Sequence, residues 1–206
     1  MKSTFMQVIN YYLRMLDHRD KVLCLHDKDR LPSFFVDSLF IHLLLQHTEN
    51  KEIGNSSLKA FEDVVKRTTR NIDIFSCEKM FIPTNINNYH WSMTVVNFPQ
   101  REIHYYDSMN GNGKKYTDVL IKWLACESMF RKQIELDIKE WKIISQEPHV
   151  PQQTGNGTEC GVFTMMCADF LLDDIPLLYN LGQMDFFRKK ITADILRNSI
   201  GYPFSV

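Results

Sequence analysis

The sequence predicts an α+β fold, in which a small mixed sheet is flanked by helices and one further helix is buried at the centre. Three observations predict it. Apolar residues at helical spacing dominate the first half of the chain, β-forming residues cluster in the middle, and a long apolar run begins at Cys160. The chain has 206 residues, of which 44% are hydrophobic. That is enough to bury a substantial core, so we expect residues 1–206 to form a single domain.

Helices are predicted over most of the first seventy residues. Apolar residues recur at helical spacing over 8–16, and the stretch 58–70 is amphipathic. Pro32 and Ser33 precede an apolar segment and are typical of a helix start, so a second helix is predicted over 34–45. The polar stretch 49–57 contains a glycine and is predicted to be a loop.

The middle of the chain changes from helical to strand periodicity. The turn-forming residues 98–101 separate two runs of β-formers, which predicts a hairpin. Pro83 is expected to end the strand before it. Strands are predicted at 79–83, 91–98, 102–107 and 140–145, and a helix is predicted at 116–130.

The last third contains the segment with the least polar character. A loop with two prolines and two glycines, residues 148–157, leads into the run 160–172. That run is apolar nearly all round, which predicts a buried central helix. A final helix is predicted over 183–198.

Composition excludes several functional classes. With 24 Lys and Arg against 25 Asp and Glu, the formal charge is -1, which argues against a nucleic-acid binder because such proteins need a basic excess. No apolar run reaches about 18 residues, so no membrane association is expected. The chain starts without the apolar segment of a signal peptide, so an intracellular location, nuclear or cytoplasmic, is expected. A monomer is the default expectation.

The five cysteines are expected to be free thiols. Their number is odd and no export signal is visible, which favours a reducing compartment over disulfides. The histidines lie at no zinc-like spacing from the cysteines, so neither a metal nor another cofactor is expected.

Three residues with side chains suited to catalysis stand at the ends of predicted strands or at the start of a predicted helix. If the hairpin pairs through its turn, His90 and Asp107 come to the same end, where the carboxylate would fix and stabilise the imidazole. Cys160 is predicted at a helix N-terminus, where the helix dipole and a nearby imidazolium favour the nucleophilic thiolate. A side-chain amide from the preceding loop, Gln153 or Gln152, would complete an oxyanion hole.

The residues alone leave structural readings open for each of these positions. His90 beside Trp91 and before a strand is more typical of a histidine that is simply packed. Asp107 precedes an Asn-Gly pair and is typical of turn chemistry. Cys160 stands in an apolar run and is open to interpretation as a small buried hydrophobe, which is the reading we favour for Cys167.

The local sequences narrow these alternatives, because three of them resemble motifs of one protein family. The segments 90–96 (HWSMTVV), 103–109 (IHYYDSM) and 152–163 (QQTGNGTECGVF) resemble the catalytic domain of the ULP/sentrin family of SUMO-specific cysteine proteases. The order His, Asp, Gln, Cys along the chain is also the order of that family. Residues 8–12 and 184–191 are similar as well, so the resemblance covers nearly the whole chain.

The resemblance implies a papain-like cysteine protease core of the ULP type and assigns a role to each motif residue. It implies that Cys160 is the nucleophile and that His90 is first the general base and then the general acid. Asp107 would orient His90, and Gln153 would donate to the oxyanion. Trp91 is similar to the aromatic residue that confines the Gly-Gly tail of the substrate in a narrow tunnel.

Further substrate contacts follow from the same resemblance, together with two departures from the family pattern. Gln152, Gly161 and Phe5 are expected to contact the substrate, with Phe5 substituting in part for a tunnel wall. Gln153 stands seven positions before Cys160, one more than is usual in the family. Residues 3–7 occupy the place of a Trp-Leu-Asn-Asp-like segment and contain neither Trp nor an acidic residue.

The function implied is that of a thiol protease that cleaves after the C-terminal Gly-Gly of SUMO. The scissile bond would be an isopeptide to a substrate lysine or the bond to a C-terminal extension of a SUMO precursor. The expected partners are SUMO, or another ubiquitin-like modifier, and its conjugates. Two alternatives stay open: a protease for NEDD8 or ubiquitin with the same triad, and an inactive relative that binds SUMO. The similarity at 184–191 favours SUMO.

Overall fold

The computed structural model describes residues 2–49, 56–155 and 157–201, with side chains from residue 6 onward except for 47–49 and 56–60. In these ranges the helices are α1 (Lys2–His26), α2 (Phe40–Glu49), α3 (Ser56–Thr68), α4 (Lys114–Lys132), α5 (Cys160–Leu172) and α6 (Met184–Arg197). The strands are β1 (Phe34–Phe35), β2 (Lys79–Ile86), β3 (His90–Asn97), β4 (Glu102–Tyr106) and β5 (Lys142–Ile144).

The strands form one mixed sheet in the order β1-β2-β3-β4-β5. The central strands β2, β3 and β4 are antiparallel, while β1 and β5 join the two edges as parallel strands. The predicted hairpin is therefore present, and the predicted mixed sheet with its flanking helices is confirmed.

Helices cover both faces of this sheet. Successive side chains of a strand point to opposite faces, and in β2 Phe81 packs into one core while Met80 and Ile82 pack into the other. The first core holds α1, α5 and α6, and the second holds α2, α3 and α4. Because both faces are covered, β2 and β3 are almost continuously buried and show no polar–apolar alternation.

The predicted helix at 34–45 is wrong at its beginning. Phe34 and Phe35 form β1 and pair with β2, where Phe35 stacks on Phe81 at 4.7 Å between ring centroids. The helix begins only at Phe40. Just before it, the Asp37 carboxylate accepts the N–H of Leu39 at 2.8 Å. Strand pairing and ring packing of the two phenylalanines therefore determine the structure here, although the apolar spacing of the segment is that of a helix.

Pro83 does not end its strand as predicted. The ladder between β2 and β3 continues through Pro83, opposite Met93, and as far as Ile86. In the described part of the chain, the short strand β1 pairs with Met80 and Phe81 alone, so no strand there pairs with the other edge of β2 at the proline. A missing N–H is tolerated at an unpaired edge.

The buried central helix is present as predicted. Every residue of α5 except Leu171 is buried, and α1 is bound to it through polar groups. The Asp169 carboxylate of α5 is completely buried. It accepts the hydroxyl of Tyr12 at 3.0 Å and the guanidinium of Arg19 at 2.7 Å. This pairing satisfies a charge inside the core and fixes the helix that begins with Cys160.

No helix among the described residues has the length and apolar character needed to cross a bilayer. All five cysteines, which lie within the described ranges, are free thiols.

Candidate active site

The hairpin brings His90 and Asp107 together at one end of the sheet. His90 is the first residue of β3, and Asp107 directly follows β4. The antiparallel register places Met93 opposite Tyr106, so the start of β3 lies beside the end of β4. Nε2 of His90 and Oδ1 of Asp107 are 2.6 Å apart, and both residues are buried. The predicted pair is thus present in the structure.

The Asp107 carboxylate is held at both of its oxygens. Oδ1 also accepts the backbone N–H of Met109 at 2.7 Å, and Oδ2 accepts the hydroxyl of Tyr105 at 3.2 Å. Burial pushes the pKa of Asp107 upward, but the hydrogen bonds from His90, Met109 and Tyr105 outweigh it and lower the pKa below its ordinary value. The group therefore stays ionised beside the imidazole.

Cys160 opens α5, which packs against β3 in the core that also contains Trp91. Burial lowers the pKa of His90 and is the largest single influence, yet hydrogen bonding and charge from Asp107 and Cys160 raise it to about 9. Because Nε2 is bonded to Asp107, the ring nitrogen left for Cys160 is Nδ1, which is buried and has no hydrogen-bond partner of standard distance and angle among the described residues. The imidazole is thus held by the Asp107 carboxylate through one nitrogen and is open to Cys160 through the other.

The other four thiols are less suited to act as thiolates. Burial raises the pKa of Cys24 and Cys126, and it raises that of Cys77 to about 11. Cys167 lies two helical turns beyond Cys160, and complete burial raises its pKa still further. This agrees with the interpretation of Cys167 as a packed core residue.

The structure distinguishes the two candidate oxyanion glutamines. The amide nitrogen of Gln152 donates to the backbone carbonyls of Asp107 at 3.2 Å and Val150 at 2.9 Å. Gln153 is tied through its backbone N–H to the carbonyl of Ser108 at 2.8 Å. Its own side-chain amide is buried with no hydrogen-bond partner in the described structure. Gln153 is therefore the residue with an amide available to a ligand.

Of the other predicted substrate contacts, Trp91 and Gly161 have described positions, whereas Phe5 does not have a described side chain. Trp91 is buried, with 6% of its surface exposed, on the face of β3 that meets α5, and Gly161 is buried as the second residue of α5. The side chain of Phe5 lies outside the described residues, as does Asn156 in the longer loop. Gly155 takes a φ of +77°, a conformation that favours glycine and lets the loop turn. These substrate contacts stay predictions.

Sequence reasoning did not identify the groups that hold Asp107 in place. The Met109 N–H contact is an Asx turn, which the Asp107-Ser108-Met109 order permits but does not require. Gly111 is needed because a Cβ at this position would lie 2.4 Å from Oδ2 of Asp107. Tyr105 stands two residues before Asp107, and residues at this spacing in an extended segment point to the same face of the sheet. This spacing was the one sign in the sequence that the two side chains could meet.

Comparisons with known proteins agree with this geometry. The family model described as "Ulp1 protease family, C-terminal catalytic domain" matches residues 5–200. The chain is 31% identical over 195 residues to sentrin-specific protease 2 of Homo sapiens and to that of Pongo abelii, covering 94% of this chain and 30% of each relative. It is 27% identical to ubiquitin-like-specific protease 1A of Arabidopsis thaliana, covering 93% of this chain and 36% of that protein. The chain thus spans about a third of the length of these relatives.

Solved structures share the fold. The SUMO protease Ulp1 with an oxidised catalytic cysteine matches with a TM-score of 0.67 at 19% identity, covering 94% of this chain and 77% of that one. The Ulp1-like SUMO protease catalytic domain of Chaetomium thermophilum matches with a TM-score of 0.65 at 22% identity, covering 97% and 74%. At these identities the likeness confirms the predicted fold. Because the family model spans nearly the whole chain, and sentrin-specific proteases are similar at 31% identity, this chain belongs to the Ulp1 protease family.

Proposed function

We propose that residues 1–206 form a single catalytic domain, a thiol protease that cleaves after the C-terminal Gly-Gly of SUMO. The observation that carries the proposal is the buried His90–Asp107 pair, 2.6 Å apart, beside a cysteine that opens a buried helix. The names of the relatives support SUMO as the modifier, and one solved structure of this fold is Ulp1 in complex with the yeast SUMO orthologue. Five free thiols fit an intracellular location, nuclear or cytoplasmic.

The proposed reaction begins with proton transfer from the Cys160 thiol to His90. The thiolate attacks the carbonyl carbon of the terminal glycine, and the carbonyl oxygen becomes an oxyanion. The side-chain amide of Gln153 and the backbone N–H of Cys160 donate hydrogen bonds to it, each worth about 3–4 kcal/mol. The imidazolium then gives its proton to the leaving lysine amine, and a thioester to Cys160 forms.

Hydrolysis of the thioester completes the cycle. His90 takes a proton from water as the water attacks the thioester carbonyl, and it returns that proton to the sulfur as SUMO leaves with a free carboxyl terminus. Asp107 keeps the imidazole oriented through both halves and stabilises its charged form, without taking up the proton itself.

A side-by-side cleavage assay tests the choice of modifier. SUMO, NEDD8 and ubiquitin, each carrying a C-terminal reporter, are incubated separately with the protein, and initial rates are compared. We expect SUMO to be cleaved with a kcat/KM at least about 100-fold higher than the others, which corresponds to about 2.7 kcal/mol of discrimination. Faster cleavage of NEDD8 or ubiquitin would contradict the proposal.

Trp91→Ala is expected to weaken cleavage of substrates that end in Gly-Gly. In the proposed tunnel the flat indole covers two residues that have no side chains, so its removal should reduce kcat/KM by about tenfold or more. Thermal unfolding is measured alongside, because Trp91 also packs in the core. Full activity in a folded variant would show that Trp91 has only a packing role.

Asp107→Asn is expected to change the pH dependence of activity as well as its size. Much of the elevation of the His90 pKa comes from Asp107, so the asparagine variant should bring that pKa down from about 9 towards its ordinary value. The imidazolium that protonates the leaving amine would then be lost at lower pH. We expect the alkaline limb of kcat/KM to move from near pH 9 towards neutrality, with kcat lower by about 10³–10⁴. An unmoved limb would contradict the assigned role of Asp107.

A further inference from the structure

We propose that Tyr105 is a positioning residue for the catalytic pair: its hydroxyl holds one oxygen of Asp107, so that the other oxygen stays directed at His90. The inference rests on the proposed function, because it assigns Tyr105 a part in the same reaction. It concerns a residue that touches neither the imidazole nor the thiol in the described hydrogen bonds, and that acts through Asp107.

The two oxygens of Asp107 have different hydrogen-bond partners. Oδ1 accepts both the His90 ring and the Met109 N–H, at 2.6 and 2.7 Å. For Oδ2, the described hydrogen bond is the one from the Tyr105 hydroxyl, at 3.2 Å. Since a Cβ at Gly111 would lie 2.4 Å from Oδ2, the backbone closes over this oxygen and leaves little room for another donor. Without Tyr105, a buried carboxylate oxygen would lack a donor, which is costly.

Tyr105 is itself held rigidly by its neighbours. The side chain is 1% exposed, and its ring stacks on Tyr116 of α4 at 5.7 Å between centroids. Gly113, just before α4, lies so close to the ring that a Cβ there would come within 2.1 Å of it. The N–H of Gly113 is in turn bound to the carbonyl of Ser145 at 2.7 Å. The start of α4 therefore fixes the ring, and the ring fixes the carboxylate.

The Tyr105 hydroxyl stays a hydrogen-bond donor near neutral pH. Burial, together with the negative charge of Asp107, raises the pKa of Tyr105 far above its ordinary value, so the phenol keeps its proton. The titratable groups facing the Asp107 carboxyl are His90 from β3, Tyr105 from β4 and Tyr116 from α4. His90 donates to Oδ1, and no described hydrogen bond joins Tyr116 to the carboxylate. Tyr105 is thus the donor that orients Oδ2 of Asp107.

Tyr105→Phe tests the proposal, because it removes the hydroxyl and keeps the ring. We expect kcat to fall by about 10- to 100-fold, the value of a hydrogen bond to a charged group, with KM nearly unchanged. A hydrogen bond to the ionised form lowers a carboxyl pKa, so its loss should raise the pKa of Asp107, measured by carbon-13 NMR titration of the free protein. Tyr116→Phe is the matched control, since it keeps the stacked ring pair, and it should move neither quantity.

Two results would overturn the inference. These are wild-type kcat in Tyr105→Phe, whether or not the Asp107 pKa rises, and a fall in kcat with an unmoved Asp107 titration. The second result would indicate a purely structural role. The titration needs no substrate, so it remains informative if the wild-type protein cleaves no modifier, an outcome that would instead refute the proposed function.

Discussion

Cys160→Ala is expected to abolish turnover while SUMO binding is retained. Without the sulfur no thioester can form, and we expect kcat to fall on the order of 10⁴-fold or more. Binding should persist because a specific protein–protein interface buries about 800 Å² on each partner, far more than one side chain supplies. Steady-state cleavage and a binding isotherm on the same preparation measure the two quantities.

Cys126→Ala is the matched control for this change. Cys126 is half-buried in α4, and burial raises the pKa of its thiol, so its removal is expected to leave kcat within about twofold of the wild type. Normal activity in Cys160→Ala would refute the mechanism outright. Comparable losses in both variants would indicate a general effect of cysteine removal and would also contradict the assignment of the nucleophile.

His90→Ala is expected to lower kcat by about 10⁴-fold, because it removes both the base that activates the thiol and the acid that protonates the leaving amine. The matched control is His104→Gln. Like His90, His104 is bonded to a carboxylate, in its case to two, Glu102 at 2.7 Å and Glu147 at 3.0 Å, but neither of them belongs to the site. We expect the control to keep activity within about twofold, and equal losses in the two variants would contradict the role of His90.

The elements that could be predicted from the sequence are those whose own residues and immediate neighbours determine their structure. The helix from Cys160 was recognisable because it is buried on all sides, and the hairpin was recognisable from its turn and the β-formers that flank it. The errors arose where tertiary contacts decide. Phe34 and Phe35 have helical spacing but pair with β2, and Pro83 continues a strand because its neighbour at that edge is only two residues long.

The same distinction applies to the candidate site. The positions of His90, Asp107 and Cys160 were predictable because each stands at the end of an element, and the family motifs then favoured a catalytic role for them, which stays a prediction. The residues alone left Gln152 and Gln153 open as the oxyanion donor, and only the family resemblance favoured Gln153. The physical reason was not visible in the sequence, since it depends on Gln152 being engaged by the carbonyls of Asp107 and Val150. The contact of Gly111 with the carboxylate was equally hidden, because it joins a turn to a side chain four residues earlier.

The most direct test of the central claim is incubation with SUMO that bears a C-terminal vinyl sulfone, followed by intact mass measurement and peptide mapping. A thiolate that reaches the end of the Gly-Gly tail adds to the vinyl group, so the probe reports nucleophile and modifier together. We expect one adduct, located on Cys160 and absent from Cys160→Ala. Absence of an adduct despite measurable binding would indicate an inactive SUMO-binding relative, and an adduct on another cysteine would contradict the proposed active site.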